Sequence, residues 1–295
     1  MFDRIFADYL VEQGKLTKSN VKAVFEAKEK RRARLGVIAV AEKVMTVEQA
    51  DEVNQQQALY DKRFGDIAVE NGYLTDEQVS RLLDLQGNGF LSFMQATLDL
   101  GFMTMDEFNK NLETYQKSLS LTAGDMESLK SCDFEQVVPV LMLRQDPLIV
   151  ELCSVMLRTI YRLVDFHVYM KKPYVTEEVP FDAVSVQELI GEHTILNSLS
   201  GRKDALKDAA VGFVGAMHID NDEDVLDALC ELINCINGLF AAHLCEEHVD
   251  VDMKAPYYSM DKGSIKGASL LCVPIVVFDK EINITFALDT EYTYE

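Results

Sequence analysis

Two domains are predicted: an N-terminal, mainly α-helical repeat module and a C-terminal α+β domain with long helices packed on an antiparallel sheet. Three observations carry this. A 29-residue repeat fills residues 1–116 and then stops. The stretch 117–133, KSLSLTAGDMESLKSCD, is rich in Ser, Thr, Gly and Asp, as linkers are. Beyond it helical and strand patterns alternate, which calls for helices against one sheet. The expected boundaries are therefore 1–116, a linker at 117–133, and 134–295.

The repeat is read from GKLTKSNV at Gly14, KVMTVEQA at Lys43, GYLTDEQV at Gly72 and GFMTMDEF at Gly101. Thr17, Thr46, Thr75 and Thr104 occupy one equivalent position, each ahead of a helical apolar pattern. Three residues on stand Asn20, Gln49, Gln78 and Glu107, the spacing at which a hydroxyl and an N3 side chain cap each other's backbone N–H groups. Upstream, DYLVEQG and DIAVENG read as a first helix closed by a left-handed Gly. Each copy is thus a helix, a turn and a helix, and four copies are expected to stack.

The copies differ in one register. The two central copies carry Arg34, Gly36 and Gln57, and Arg63, Gly65 and Gln86; the outer copies carry Ile5, Ala7 and Lys28, and Ser92, Met94 and Tyr115. Two readings fit: a ligand site shared by the central copies, or the ordinary difference between inner and capping repeats. The pattern R-L-G-x-x, followed by a helix ending in Gln, in tandem, resembles the N-terminal domain of type II secretion and type IV pilus ATPases (the GspE/MshE N-terminal family). The resemblance implies binding of cyclic di-GMP through Arg34, Gly36, Gln57, Arg63, Gly65 and Gln86. Guanidinium suits phosphate or a guanine edge, and glycine suits close backbone approach. Ala39 and Ala68 stand where that family has Leu, and Lys43 where it has Gly.

In the C-terminal half, Pro147 opens a helix running to Val164, at a position where its missing N–H costs nothing. VSVQELIG and HTILNSLS read as strands around a turn at Gly191, followed by a short helix over 203–215 and a long one from Asp222. Strands are expected near 249–256, 268–278 and 281–288. On the long helix, Asp227, Glu231, Asn234 and Gly238 follow the i, i+4, i+7, i+11 series and line one stripe between apolar faces. By periodicity alone that stripe is the wet face of a core helix, and Asn237 is a C-terminal turn residue or an exposed amide.

With Pro256 lying 22 positions beyond Asn234, the pattern D-x-x-x-E-x-x-N…P resembles the signature of the CheC/CheX/FliY chemotaxis phosphatases. Gly238 and the late Cys272-Val273-Pro274-Ile275 also match; the Asn-to-Pro gap is off by about one residue. The resemblance implies hydrolysis of the aspartyl phosphate of a CheY-like receiver. Glu231 and Asn234 would be catalytic: the Asn234 carbonyl accepts from the attacking water while its amide N–H₂ donates, and Glu231 meets the receiver's active-site Lys. Asp227 and Gly238 would serve docking. The family's second E-x-x-N is Glu151-Leu152-Cys153-Ser154 here, so Ser replaces Asn and one site per chain is expected. A homodimer through this domain is a further implication. The rival is a non-enzymatic adaptor that docks a receiver or a secretion or pilus component.

Composition narrows the rest. A formal charge of −21 disfavours nucleic acid and anionic membranes, which reward clustered Lys and Arg. Six cysteines without a C-x-x-C pair and five scattered histidines, the EEH at Glu246–His248 included, point to neither disulfides nor a metal site. No cofactor of its own is expected; the Mg²⁺ of the reaction belongs to the receiver. The longest apolar run, Leu270 to Phe278, is too short to span a bilayer, and the acidic residues of MFDRIFADYLVEQGK do not suit a secretion signal. A cytoplasmic protein without membrane insertion is expected.

Overall fold

The computed structural model describes residues 1–29, 33–60, 62–142 and 145–294. They fall into two compact units, Phe2–Asp133 and Phe134–Glu295. The first is helical, and the second is built on a curled antiparallel sheet.

In the first unit the repeat becomes helix pairs: α1 (Phe2–Glu12) with α2 (Lys18–Lys28), α3 (Leu35–Ala41) with α4 (Val47–Tyr60), α5 (Phe64–Glu70) with α6 (Asp76–Asp84), and α7 (Gly89–Asp99) with α8 (Met105–Ser118). All four Thr caps form as the spacing requires. Thr17, Thr75 and Thr104 each close a reciprocal box with Asn20, Gln78 and Glu107, and Thr46 exchanges the same two bonds with Gln49 at 2.8 and 3.2 Å. The turn before each cap is also the same. Gly14, Gly72 and Gly101 adopt φ of 65°, 71° and 67°, and their N–H groups return to the carbonyls of Val11, Val69 and Leu98. Lys43 takes the same conformation, with φ of 58°, and bonds to Val40. Loss of glycine in the second copy has therefore not removed the turn; it has loaded a side chain onto a left-handed residue.

The copies do not form an open stack. The first packs on the fourth, α2 and α1 against α7, while α3 meets α6 and α7. An aromatic cluster fills the junction of first and last copies: Phe2, Phe6 and Tyr9 meet Phe90, Phe108 and Tyr115 with ring centroids 5.0–6.0 Å apart. Burial, reinforced by Tyr9, pushes the Tyr115 hydroxyl up to about 12. In the register where the central copies carry Arg, Gly and Gln, the outer copies bury Ala7, Met94 and Tyr115 and leave Ile5, Lys28 and Ser92 partly exposed. The expected linker 117–133 is a further correction. It folds into α9 (Ala123–Ser131), capped by a Thr122–Asp125 box, so the Thr and Asp that read as linker composition start a helix.

The second unit holds α10 (Phe134–Leu141), α11 (Pro147–Leu163), β1 (Tyr169–Met170), β2 (Tyr174–Phe181), β3 (Ala183–Gly191), β4 (Thr194–Gly201), α12 (Lys203–Val214), α13 (Asp222–Glu246), β5 (Val251–Met253), β6 (Tyr257–Ser259), β7 (Gly263–Val277), β8 (Lys280–Leu288) and β9 (Tyr292–Tyr294). The sheet runs β1-β7-β8-β4-β3-β5, with β2 and β9 also on β7 and β6 also on β3. Strands β1, β2, β6 and β9 were not expected. Three of them are two or three residues long, and the fourth, YVTEEVPF, is mostly exposed and lacks the apolar alternation that marks a strand. One face of the sheet buries Leu189, Ile195, Leu199, Val273 and Ile284 with Leu152, Met156, Leu229 and Ile236 of the helices. The other closes over a smaller cluster of Phe181, Val184, Val186, Leu196 and Ile265. By length and composition α13 could cross a membrane; in the fold its apolar faces enter the unit's own core.

The strained turn gives a direct test. Lys43→Gly should raise the stability of the first unit by about 1 kcal/mol, because a left-handed L-residue costs about that much over glycine. The readout is a higher urea midpoint at unchanged slope. A lower midpoint would mean that the Lys43 side chain supplies more than its backbone loses.

Candidate functional site

Helix α13 is set in place by its sequence: Asn221 caps its first turn through a box with Asp224, and Val225, Leu229, Leu232, Ile236 and Phe240 enter the core. Those contacts leave the predicted stripe outward. Asp227 and Glu231 are exposed, and Asn234 and Gly238 are half-buried. A Cβ added at Gly238 would meet nothing within 4 Å, so the surface beside Asn234 is open. The Cys235 thiol lies 3.7 Å from Glu231 Oε1. Burial, and then the neighbouring Glu231 charge, push that thiol up, so it stays protonated.

Asn234 is not alone. Its Oδ1 accepts from Gln187 Nε2 at 3.0 Å, and the same nitrogen donates to the Lys254 carbonyl at 2.9 Å. Gln187 Oε1 accepts from Asn237 Nδ2 at 2.7 Å, and Asn237 exchanges amide hydrogen bonds in both directions with Asn197. Gln187, Asn197 and Asn237 are buried. Strand register explains the assembly. Gln187 of β3 and Asn197 of β4 face each other across the ladder, and α13 crosses above them. One turn earlier, Cys230 Sγ of α13 lies 3.6 Å from Ser185 Oγ of β3, continuing the polar seam.

Two sequence expectations change here. Asn237 is neither an exposed amide nor a turn residue; it sits mid-helix and is the buried centre of the network. The Asn234 carbonyl, assigned to water, already has a protein donor; one lone pair and Nδ2 remain, and Nδ2 has no hydrogen-bond partner among the described residues. Gln187 and Asn197 were not singled out in the sequence. The signal was present: in VSVQELIG, residues 185, 187 and 189 share one face, and Leu189 marks it as the core face.

Pro256 lies in the short segment between β5 and β6. That segment is tied to the site through Lys254, whose N–H donates to the Glu188 carbonyl and whose C=O receives Gln187. Lys254 Nζ also pairs with Glu188, which raises the lysine; on Glu188, burial is outweighed by this bond and those from Tyr292 and Tyr294, leaving it below the usual carboxylate range.

On α11, Ser154 is buried and turns its hydroxyl back to the Val150 carbonyl at 3.0 Å. Glu151 meets His243 Nε2 of α13 at 2.5 Å, with Glu247 3.7 Å from the same nitrogen. These three could ligate a metal, a cluster the sequence spacing did not reveal because α11 supplies one member. At 2.5 Å, however, the Glu151–His243 pair stands closer than two ligands about 2 Å from a shared zinc would. Glu151 and His243 border a cavity of about 1040 Å³ lined by α10, α11 and α13.

In the first unit, Arg34, Gly36, Gln57, Arg63, Gly65 and Gln86 all line one cavity of about 390 Å³, with Asn54, Asp66 and Leu83. Some of their capacity is already used. Gln86 Nε2 donates to the Ala33 carbonyl at 3.0 Å, and the Arg34 guanidinium lies 3.7 Å from Asp99. A Cβ at Gly36 would lie 2.9 Å from the Phe64 ring, and one at Gly65 2.7 Å from Val79, so helix packing alone requires both glycines.

The buried amides make a stability prediction. Asn237→Ala strands Gln187 and Asn197 and opens a cavity, and should cost about 3 kcal/mol in urea unfolding. Asn234→Ala, at the half-exposed end, should cost roughly 1 kcal/mol or less. Equal costs would mean that the network is not energetically centred on Asn237.

No family model matches the chain, and no curated protein matches it. Solved structures similar to its C-terminal half include the chemotaxis protein CheX of Desulfovibrio desulfuricans, with 19% identity, a TM-score of 0.44, and 48% of this chain and 99% of that chain covered. A putative chemotaxis protein of Desulfovibrio vulgaris Hildenborough is similar at 19% identity and a TM-score of 0.43, covering 48% and 97%. The CheX of a CheX–CheY–BeF₃–Mg²⁺ complex from Borrelia burgdorferi is similar at 17% identity and a TM-score of 0.40, covering 49% and 99%.

Proposed function

We propose that the C-terminal unit hydrolyses the aspartyl phosphate of a CheY-like receiver, with Asn234 and Glu231 as its working residues. One observation carries the reading: Asn234 is held at its carbonyl by a buried partner while its Nδ2 faces an open surface, with the exposed Glu231 one turn away. In the reaction a water oxygen bonds to phosphorus as the phosphorus–acyl oxygen bond breaks, releasing the receiver's carboxylate and inorganic phosphate. The transition state is loose, so the protein's task is positioning. The second lone pair of Asn234 Oδ1 accepts a hydrogen bond from the water, and Nδ2 donates to a phosphoryl oxygen. A neutral amide can do both without setting negative charge beside the phosphate. Glu231 pairs with the receiver's lysine, Asp227 and the gap at Gly238 complete the docking face, and Mg²⁺ arrives on the receiver.

Cyclic di-GMP is proposed as a ligand of the first unit. What favours it is that two tandem Arg/Gly/Gln sets, one from each central copy, line one cavity. The guanidinium groups of Arg34 and Arg63 would pair with phosphate or guanine edges. The glycines serve packing, so the arginines and Gln57 carry the expectation.

Asn234→Ala should keep receiver binding within about twofold and slow dephosphorylation roughly 100-fold, the usual loss when one positioned hydrogen-bonding group is removed. Glu231→Ala should weaken receiver binding. Unchanged phosphate release by Asn234→Ala would remove Asn234 from the mechanism, and no acceleration of release by the unmodified chain would leave the adaptor reading. For the nucleotide, calorimetry on the full chain should show micromolar binding that Arg34→Ala with Arg63→Ala removes; no heat from the unmodified chain would end that proposal.

A further inference from the structure

Amide side chains have two ends, and which end faces outward decides what Asn234 can do. The network answers this from a group that has no choice. The Lys254 carbonyl can only accept, so the Gln187 atom 2.9 Å from it is its nitrogen. The second hydrogen of that nitrogen points to Asn234, 3.0 Å away, whose contacting atom must then be oxygen. Gln187 Oε1 in turn receives Asn237 Nδ2 at 2.7 Å, and Asn237 closes the series by its reciprocal pair with Asn197. Each amide's sense follows from the one before it. Gln187 has no remaining freedom, because both its hydrogens and its oxygen are used and it is buried on the helix-facing side of β3.

We propose that Gln187 is the positioning residue of the site: it fixes Asn234 with Nδ2 outward, so that the stripe on α13 presents a donor to an anionic phosphoryl oxygen. The proposal rests on the phosphatase reading for its kinetic consequence, but not for the orientation itself. Without Gln187 the Asn234 amide could turn over, and the reversed orientation would present an acceptor to the phosphoryl group. Because Gln187 also grips the Lys254 carbonyl, one side chain couples α13, β3 and the segment leading to Pro256.

The test is a pair of substitutions in the full chain, measured on a phosphorylated receiver relative to the unmodified protein at each pH. Gln187→Met removes the donor at similar volume. It should lower kcat about tenfold with KM changed less than twofold, at every pH. Gln187→Glu places a carboxylate against Asn234 Oδ1 and drives the amide to reverse, and should lower kcat further at pH 8. A protonated carboxyl can donate again, so this variant alone should regain part of its activity as pH falls toward 5. The ionisable groups beside the network, Glu231, Cys230, Lys254 and Glu188, are unchanged in both variants, which isolates the new carboxyl. Parallel loss in both variants, tracking their melting temperatures and indifferent to pH, would overturn the proposal, as would full activity of Gln187→Glu at pH 8. If the unmodified chain releases no phosphate, the phosphatase reading fails, and side-chain amide NMR decides the orientation. Slowly exchanging Gln187 Nε2 protons with contacts to Asn234 and Lys254 uphold it; freely exchanging ones end it.

Discussion

Four amide side chains and one carbonyl, at the contact of α13 with β3 and β4, set the geometry on which the second unit's candidate chemistry depends. A buried amide without partners costs about 1–3 kcal/mol, so each member has to find the others when the helix docks. Apolar contacts alone would tolerate small shifts of α13 along the sheet; hydrogen bonds to Gln187 and Asn197 do not. The same bonds that lock the helix place Asn234 at the rim, half in the network and half in solvent. Stability and the readiness of the site come from one arrangement, and its cost to the fold is low because every buried amide oxygen and nitrogen in it has a partner.

The first unit follows a different logic. Its four copies share caps and turns, yet the positions that differ sort them into two interfaces. First and fourth copies meet through aromatic rings, and second and third meet around a cavity edged by Arg34 and Arg63. The glycines there carry two constraints at once. Gly36 and Gly65 admit Phe64 and Val79, which draws α3 toward α5 and α5 toward α6 and thereby shapes the cavity wall.

Much of this was legible in the sequence, because local chemistry dictates it. The 29-residue period, the Thr caps and the stripe at Asp227, Glu231, Asn234 and Gly238 depend on residues within a turn or two of each other, and the structure has them as read. The partners of Asn234 were not legible, since Gln187 lies 47 residues away and reaches it only after strand pairing. Asn237 misled for the same reason: a polar residue near others on a helix looks wet until a sheet covers it. The linker reading failed at Thr122 and Asp125, whose capping spacing outweighs their composition. The short strands β1, β6 and β9 exist only because β7 and β3 offer edges, and no pattern in three residues records that.

The contact between first and last copies also limits how this repeat can grow. In an open solenoid each new unit adds one interface and leaves the ends as they were. Here the ends are occupied by one another, through rings contributed by both. A fifth copy inserted by duplication would separate Phe6 from Tyr115 and expose both. The array is therefore fixed in number as a ring is, and its variation is confined to what the central pair displays.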